Sequence, residues 1–138
     1  MDDSIVPGTV LRLSFSFLQG GPKNKFCVLA CLEPKPRLLL ISTEPSQLKR
    51  DNPQLWACQV IVDAANHSSF LKYDSHIDCT DPYGFVPEEL EKQLANDSSR
   101  VVGTLSNKVL RAVRIAIQNS PTIPQKQIQW MLDALPNL

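Results

Sequence analysis

Little in this chain announces chemistry. It has two histidines and four cysteines, and no two cysteines have C-x2-C spacing. Cys27 and Cys31 stand four apart, while Cys58 and Cys79 are remote, a pattern that does not fit a zinc site. Within apolar runs such cysteines behave as small hydrophobes, so they are expected to be reduced and structural. Charge of one sign is also missing. Fourteen Lys and Arg balance fourteen Asp and Glu, so net charge gives no support for nucleic-acid binding. No apolar run reaches the length of a membrane span. The start, Met1-Asp2-Asp3-Ser4, is acidic where a secretory signal is basic, and a cytoplasmic location is the expectation. Aromatics are only 7% of the chain, and a core needs them first.

What is present reads as one globular domain, residues 1–138, of 43% hydrophobic and 20% charged residues, a composition that excludes disorder. Charge is uneven along it. Residues 1–50 carry seven Lys/Arg against four Asp/Glu, residues 51–100 three against nine, and the last 38 four against one.

The chain is organised around residues 6–31. Val10, Leu11, Leu13, Phe15 and Phe17 mostly follow the period of two of a half-buried strand. A basic loop, Gln19-Gly20-Gly21-Pro22-Lys23-Asn24-Lys25, carries strong turn residues. Phe26 to Cys31 is an unbroken apolar run, which suits a strand covered on both faces. The prolines of Glu33-Pro34-Lys35-Pro36 mark a turn into a third strand, Arg37–Ser42, antiparallel to the second. Thr43 to Pro53 is a polar excursion with one helical turn at Ser46 to Arg50. Its Lys49 and Arg50 are either phosphate contacts or a solvated turn.

Leu55 to Asp63 is predicted as a fourth strand that carries Trp56 into the core. Ala64 to Ser69 is a polar connector, and Phe70 to Cys79 a kinked strand or strand pair broken by Pro82-Tyr83-Gly84. A helix opens at Pro87 with acids in its first turn. Val101 to Gly103 is one more short strand. Ser106 is the expected N-cap of a helix to about Asn119, with Leu105, Val109, Leu110, Val113 and Ile117 on one side. Pro124 to Leu135 forms the last helix, with residues 121–138 a C-terminal helical extension. Short strands followed by helices give an α+β fold, mainly β, built on a small barrel.

The motifs, in their order, carry a resemblance. Pro7-Gly8-Thr9-Val10, the glycine loop, Lys23-Asn24-Lys25 before an apolar strand, Asp74-Ser75-His76-Ile77-Asp78-Cys79 and Val102-Gly103-Thr104-Leu105-Ser106 resemble the MazF/PemK family. Its members are the toxin components of toxin–antitoxin pairs. The resemblance implies an SH3-like barrel with C-terminal helices, acting in the cytoplasm as a homodimer. The implied activity is cofactor-free, metal-independent cleavage of single-stranded RNA, restrained by a cognate antitoxin protein.

Cleavage of this kind needs a base for the 2′-hydroxyl, an acid for the 5′-oxygen and positive charge at the phosphorane. By position in the motif Lys25 stands where the family has an arginine, and Lys23 steers RNA with Lys49 and Arg50. The segment expected to bring a hydroxyl falls at Val62-Asp63-Ala64-Ala65, which has none, so Ser68, His67 or Asp63 is assigned to complete the site. Tyr73 and Trp56 have rings that stack on bases, although the core is the stronger claim on Trp56. The alternative is a non-catalytic module of the same fold that binds a protein partner or nucleic acid.

Overall fold

A computed structural model of the protein describes residues 5–16 and 21–138. Phe17 and the Gln19-Gly20 start of the predicted loop lie outside the described residues. The framework is an antiparallel sheet of strands β1 (Thr9–Phe15), β2 (Lys23–Cys31), β3 (Arg37–Ser42), β4 (Gln59–Val62), β5 (Ser75–Asp78), β6 (Tyr83–Gly84) and β7 (Val101–Thr104). They run in the order β4-β5-β3-β2-β1-β7, with β6 pairing β3. The sheet curls into a half-barrel. Around it lie helices α1 (Gln47–Asp51), α2 (Pro53–Trp56), α3 (Pro87–Asn96), α4 (Asn107–Gln118) and α5 (Gln125–Ala134). This is the expected α+β architecture, organised by its β sheet.

The unbroken apolar run of β2 has a direct physical reason. Cys27 and Leu29 face one core with Leu11, Leu13, Phe15 and Leu38, closed by Phe85 and by Leu90 and Leu94 of α3. Val28 and Ala30 face the other with Val10, Leu39, Ile41, Val60, Val62 and Ile77. Val109, Val113 and Ile117 of α4 and Ile128 and Met131 of α5 close that second core. The central strands are therefore roofed on both sides, and each buried leucine or isoleucine contributes roughly 1.5–3 kcal/mol. Helix α5 packs into this core, so the C-terminal extension is a structural part of the domain.

Helix α4 begins where its cap predicts. The Ser106 side chain accepts the Val109 N–H at 3.3 Å, satisfying one of the free donors of the first turn. Arg114 of α4 donates to the carbonyls of Leu132 and Leu135 at 2.7 and 3.0 Å, binding α4 to the end of α5.

Five expectations are corrected. Lys23 and Lys25 belong to β2 itself, paired with Phe15 and Leu13, so the last three residues of the predicted loop are strand. The predicted fourth strand is cut back to Gln59–Val62, because Asn52 caps a helical turn by accepting the N–H groups of Gln54 and Leu55 at 3.0 and 3.2 Å, with Pro53 at its first position. Trp56 consequently sits on α2 and is 39% exposed, not in the core. Of the segment from Phe70 to Cys79 only Ser75–Asp78 is strand, and Tyr83–Gly84, expected to break pairing, adds a short strand to β3. Among the described residues, no helix is long and apolar enough to cross a membrane.

Candidate functional site

The end of β3 and the turn before β5 enclose an open cleft of about 410 Å³. Asn24, Lys25 and Phe26 of β2 form one wall, Ser42 and Thr43 the end, and Lys72 and Tyr73 the opposite rim. Its base is apolar: Phe26 and Phe70 pack with ring centroids 5.9 Å apart. Lys25, Lys72, Ser42, Thr43 and Ser75 are among the residues that line it.

The turn carrying Lys72 and Tyr73 is held at its C-terminal side. Asp74 accepts the N–H of Ala64 at 2.8 Å, and the Ser75 hydroxyl donates to the Tyr73 carbonyl at 3.0 Å. At the far wall, Arg100 donates to the Asn24 side chain at 3.1 Å and to the Arg12 carbonyl at 2.9 Å. Arg12 and Arg100 also lower the ionisation range of Asp97, after the larger effect of its hydrogen bonds from Ser99. That basic flank is therefore partly offset by a carboxylate.

The residues singled out by sequence separate into three places. Lys25 lines the cleft, and Lys23 lies exposed on the same strand. Asp63 and His67 form a local tie below it. The Asp63 carboxylate accepts the backbone N–H of Asn66 at 3.0 Å and its side-chain amide at 2.6 Å, and these bonds, the backbone one first, keep its carboxyl below the usual range. His67 is only 2% exposed. Its Nδ1 lies 2.7 Å from the Asp63 carbonyl and its Nε2 accepts the Ser106 N–H at 3.1 Å. Both ring nitrogens thus serve the backbone, which makes the imidazole a clamp between the connector and the start of α4. Ser68 is exposed on the turn that follows.

Lys49 and Arg50 are engaged elsewhere. Lys49 forms an ion pair with Asp78, whose other oxygen accepts the Gln59 side-chain amide and the Thr80 N–H, each at 2.9 Å. Burial alone raises the Asp78 carboxyl, but Lys49, Thr80 and Gln59 together outweigh it and hold it low. Arg50 donates to the Pro45 carbonyl at 3.0 Å and lies 5.9 Å from the Trp56 ring, which stacks beside His76 at 5.3 Å.

Sequence reasoning missed Ser42, Thr43 and Lys72 as cleft residues. A readable signal existed for the first two, since Ser-Thr directly after an apolar strand places hydroxyls at a strand end. The four cysteines are buried and free, as expected, and among the described residues no three His, Cys, Asp or Glu side chains gather as ligands for a metal. A larger groove of about 730 Å³ runs between β4 and α4, but Gln54, Gln59 and Asn119 are its polar lining and it has no titratable carboxylate, imidazole or amine. A further cleft of about 450 Å³ is lined by Tyr83, Glu89, Gln93 and Arg100, so the cleft at Lys25 is not alone in gathering ionisable groups. No protein-family model and no curated protein matches this chain.

Proposed function

We propose that the protein is a MazF/PemK-type toxin, an endoribonuclease that cuts single-stranded RNA in the cleft between β2, the end of β3 and the turn before β5. One observation carries the reading: Lys25, the residue that the motif order places at the reacting phosphate, lines a cleft that Ser42, Thr43 and Lys72 also line. In the reaction the 2′-oxygen loses its proton and bonds to phosphorus. The bond to the 5′-oxygen then breaks as that oxygen takes up a proton. Charge accumulates on the phosphorane between these events, and a fixed cation with neighbouring hydroxyl donors is the arrangement that stabilises it. Lys25 supplies the cation as a point charge, and Thr43 replaces Ser68, His67 and Asp63 as the group completing the site. Lys23 steers RNA toward it. The same reading makes the protein a cytoplasmic homodimer with a cognate antitoxin.

A second reading rests on the cleft's composition. Its lining holds no carboxylate and no imidazole, the groups that most often move protons. A module that binds nucleic acid without cutting it would have this inventory. The two readings part in one experiment: purified protein, Lys25→Ala and Thr43→Ala are each incubated with long mixed-sequence RNA in EDTA, and cut sites and end groups are mapped. Discrete cuts with 2′,3′-cyclic phosphate ends, lost in both variants, support the nuclease. RNA that is bound but stays intact supports the binding module, and RNA that is neither bound nor cut ends both.

A further inference from the structure

We infer that Tyr73 is the stacking platform on which the cleft seats an unpaired base, the feature that makes it a reader of single rather than paired strands. This rests on the proposal that the cleft takes RNA.

Three observations point to it. Tyr73 is 72% exposed, although a tyrosine ring is a large apolar surface that folding ordinarily buries at least in part. Its mounting is nonetheless fixed. The Ser75 hydroxyl holds its carbonyl, and the Asp74 carboxylate anchors the next residue to Ala64. A rigid backbone with a free ring means that little ordering remains to be done when a ligand arrives. The neighbours then define the ligand. Lys72 and Lys25 share the cleft with the ring, and Asn24 supplies an amide beside them.

An exposed aromatic ring in a cleft that two lysines also line matches a nucleotide strand, with a base on the ring and the adjoining phosphates on the lysines. A duplex keeps its bases stacked on one another and offers none to a lone ring. The preference for unpaired RNA follows from the chemistry of the surface, and every base has a π-face, so the ring selects strandedness and not sequence. Tyr73 touches the substrate in this account as a positioning residue and takes no proton.

The test uses a short single-stranded 2′-O-methyl RNA, which lacks the attacking hydroxyl, and the same backbone carrying abasic residues. Affinity is measured for the full chain, Tyr73→Ala and Tyr73→Phe, whose folding is checked by circular dichroism. Tyr73→Ala should bind the base-bearing strand about 10-fold more weakly, and Tyr73→Phe should match the parent, since stacking needs the ring and not the hydroxyl. The parent should also lose about as much on the abasic strand, and Tyr73→Ala should lose little more. Equal affinity of Tyr73→Ala and the parent, or an abasic penalty unchanged in the variant, overturns the stacking role while leaving the cleft as an RNA site. Failure of the parent to bind either strand overturns both inferences together.

Discussion

His67 joins Asp63 to Ser106: its Nε2 accepts the Ser106 N–H at 3.1 Å and its Nδ1 donates to the Asp63 carbonyl at 2.7 Å. The backbone donor at Nε2 fixes the tautomer, with the proton on Nδ1. In His67→Ala two main-chain groups at a buried site lose their partners, at a cost of about 1–3 kcal/mol for each group left unsatisfied. Urea unfolding of His67→Ala should therefore show a midpoint well below the parent's. An unchanged midpoint would return the imidazole to the list of groups available for chemistry.

Lys49 and Asp78 make a second structural tie where sequence suggested a phosphate contact. Replacing Lys49 with Met leaves a carboxylate that is only 16% exposed with one partner fewer. The expected loss is about 1.5–3 kcal/mol, the range for a hydrogen bond to a charged group. The pH dependence has a definite sign. Because the folded carboxyl is held below its ordinary 3.8, its stabilisation is present above that value and fades as pH falls through the folded one. Lys49→Met should unfold at higher pH on acid titration than the parent. If the variant keeps its acid stability and instead weakens RNA binding, Lys49 belongs to the ligand and not to the fold.

These two residues show what one-dimensional reading recovers. Strands β2 and β3 and helix α4 were legible because a repeated apolar pattern and a cap residue act locally, within a few positions of one another. Trp56 was misplaced because the alternation of Cys58, Val60 and Val62 was extended backward to Leu55 and Trp56, where the helical turn that Asn52 caps and Pro53 opens overrides it. The cleft was only half legible. Lys25 stood out by its place in a motif, whereas Thr43 and Lys72 reach it through the pairing of β3 with β5, Ser42 opposite His76. That convergence is a property of the sheet and leaves no periodic trace. His67 was visible as a histidine, but its role was set by Ser106, remote in sequence.

His76 gives the molecule a pH response of its own. Burial first, and the charge of Arg50 second, lower its ionisation below the ordinary 6.5. Its Nδ1 is buried without a hydrogen-bond partner among the described residues, so a proton there would lack an acceptor. The unfolded chain takes up this proton near 6.5 while the folded one resists. Stability is thus complete above 6.5 and declines as pH falls toward the folded value. His76→Phe keeps a ring against Trp56 and removes the titration. Urea midpoints measured from about pH 7.5 to 5 should fall less steeply for His76→Phe than for the parent, and parallel slopes would show that the decline arises elsewhere.

The cleft lysines make the last prediction, on salt dependence. If Lys25 and Lys72 each neutralise a phosphate, each releases counterions on binding, and removing one contact should lower the slope of log affinity against log salt by about 0.7 for a single strand. Lys25→Ala and Lys72→Ala are compared with the parent on an uncleavable 2′-O-methyl strand, with Lys49→Met as the control that should leave the slope unchanged. Over a roughly fourfold rise in salt, one lost contact amounts to about a 2.5-fold smaller fall in affinity. The double variant should lose about twice the slope, because the two residues approach the strand from opposite walls. A slope unaltered in both single variants would mean that the cations of this cleft meet no phosphate, and the RNA reading would fail at its electrostatic base, whatever the ring of Tyr73 does.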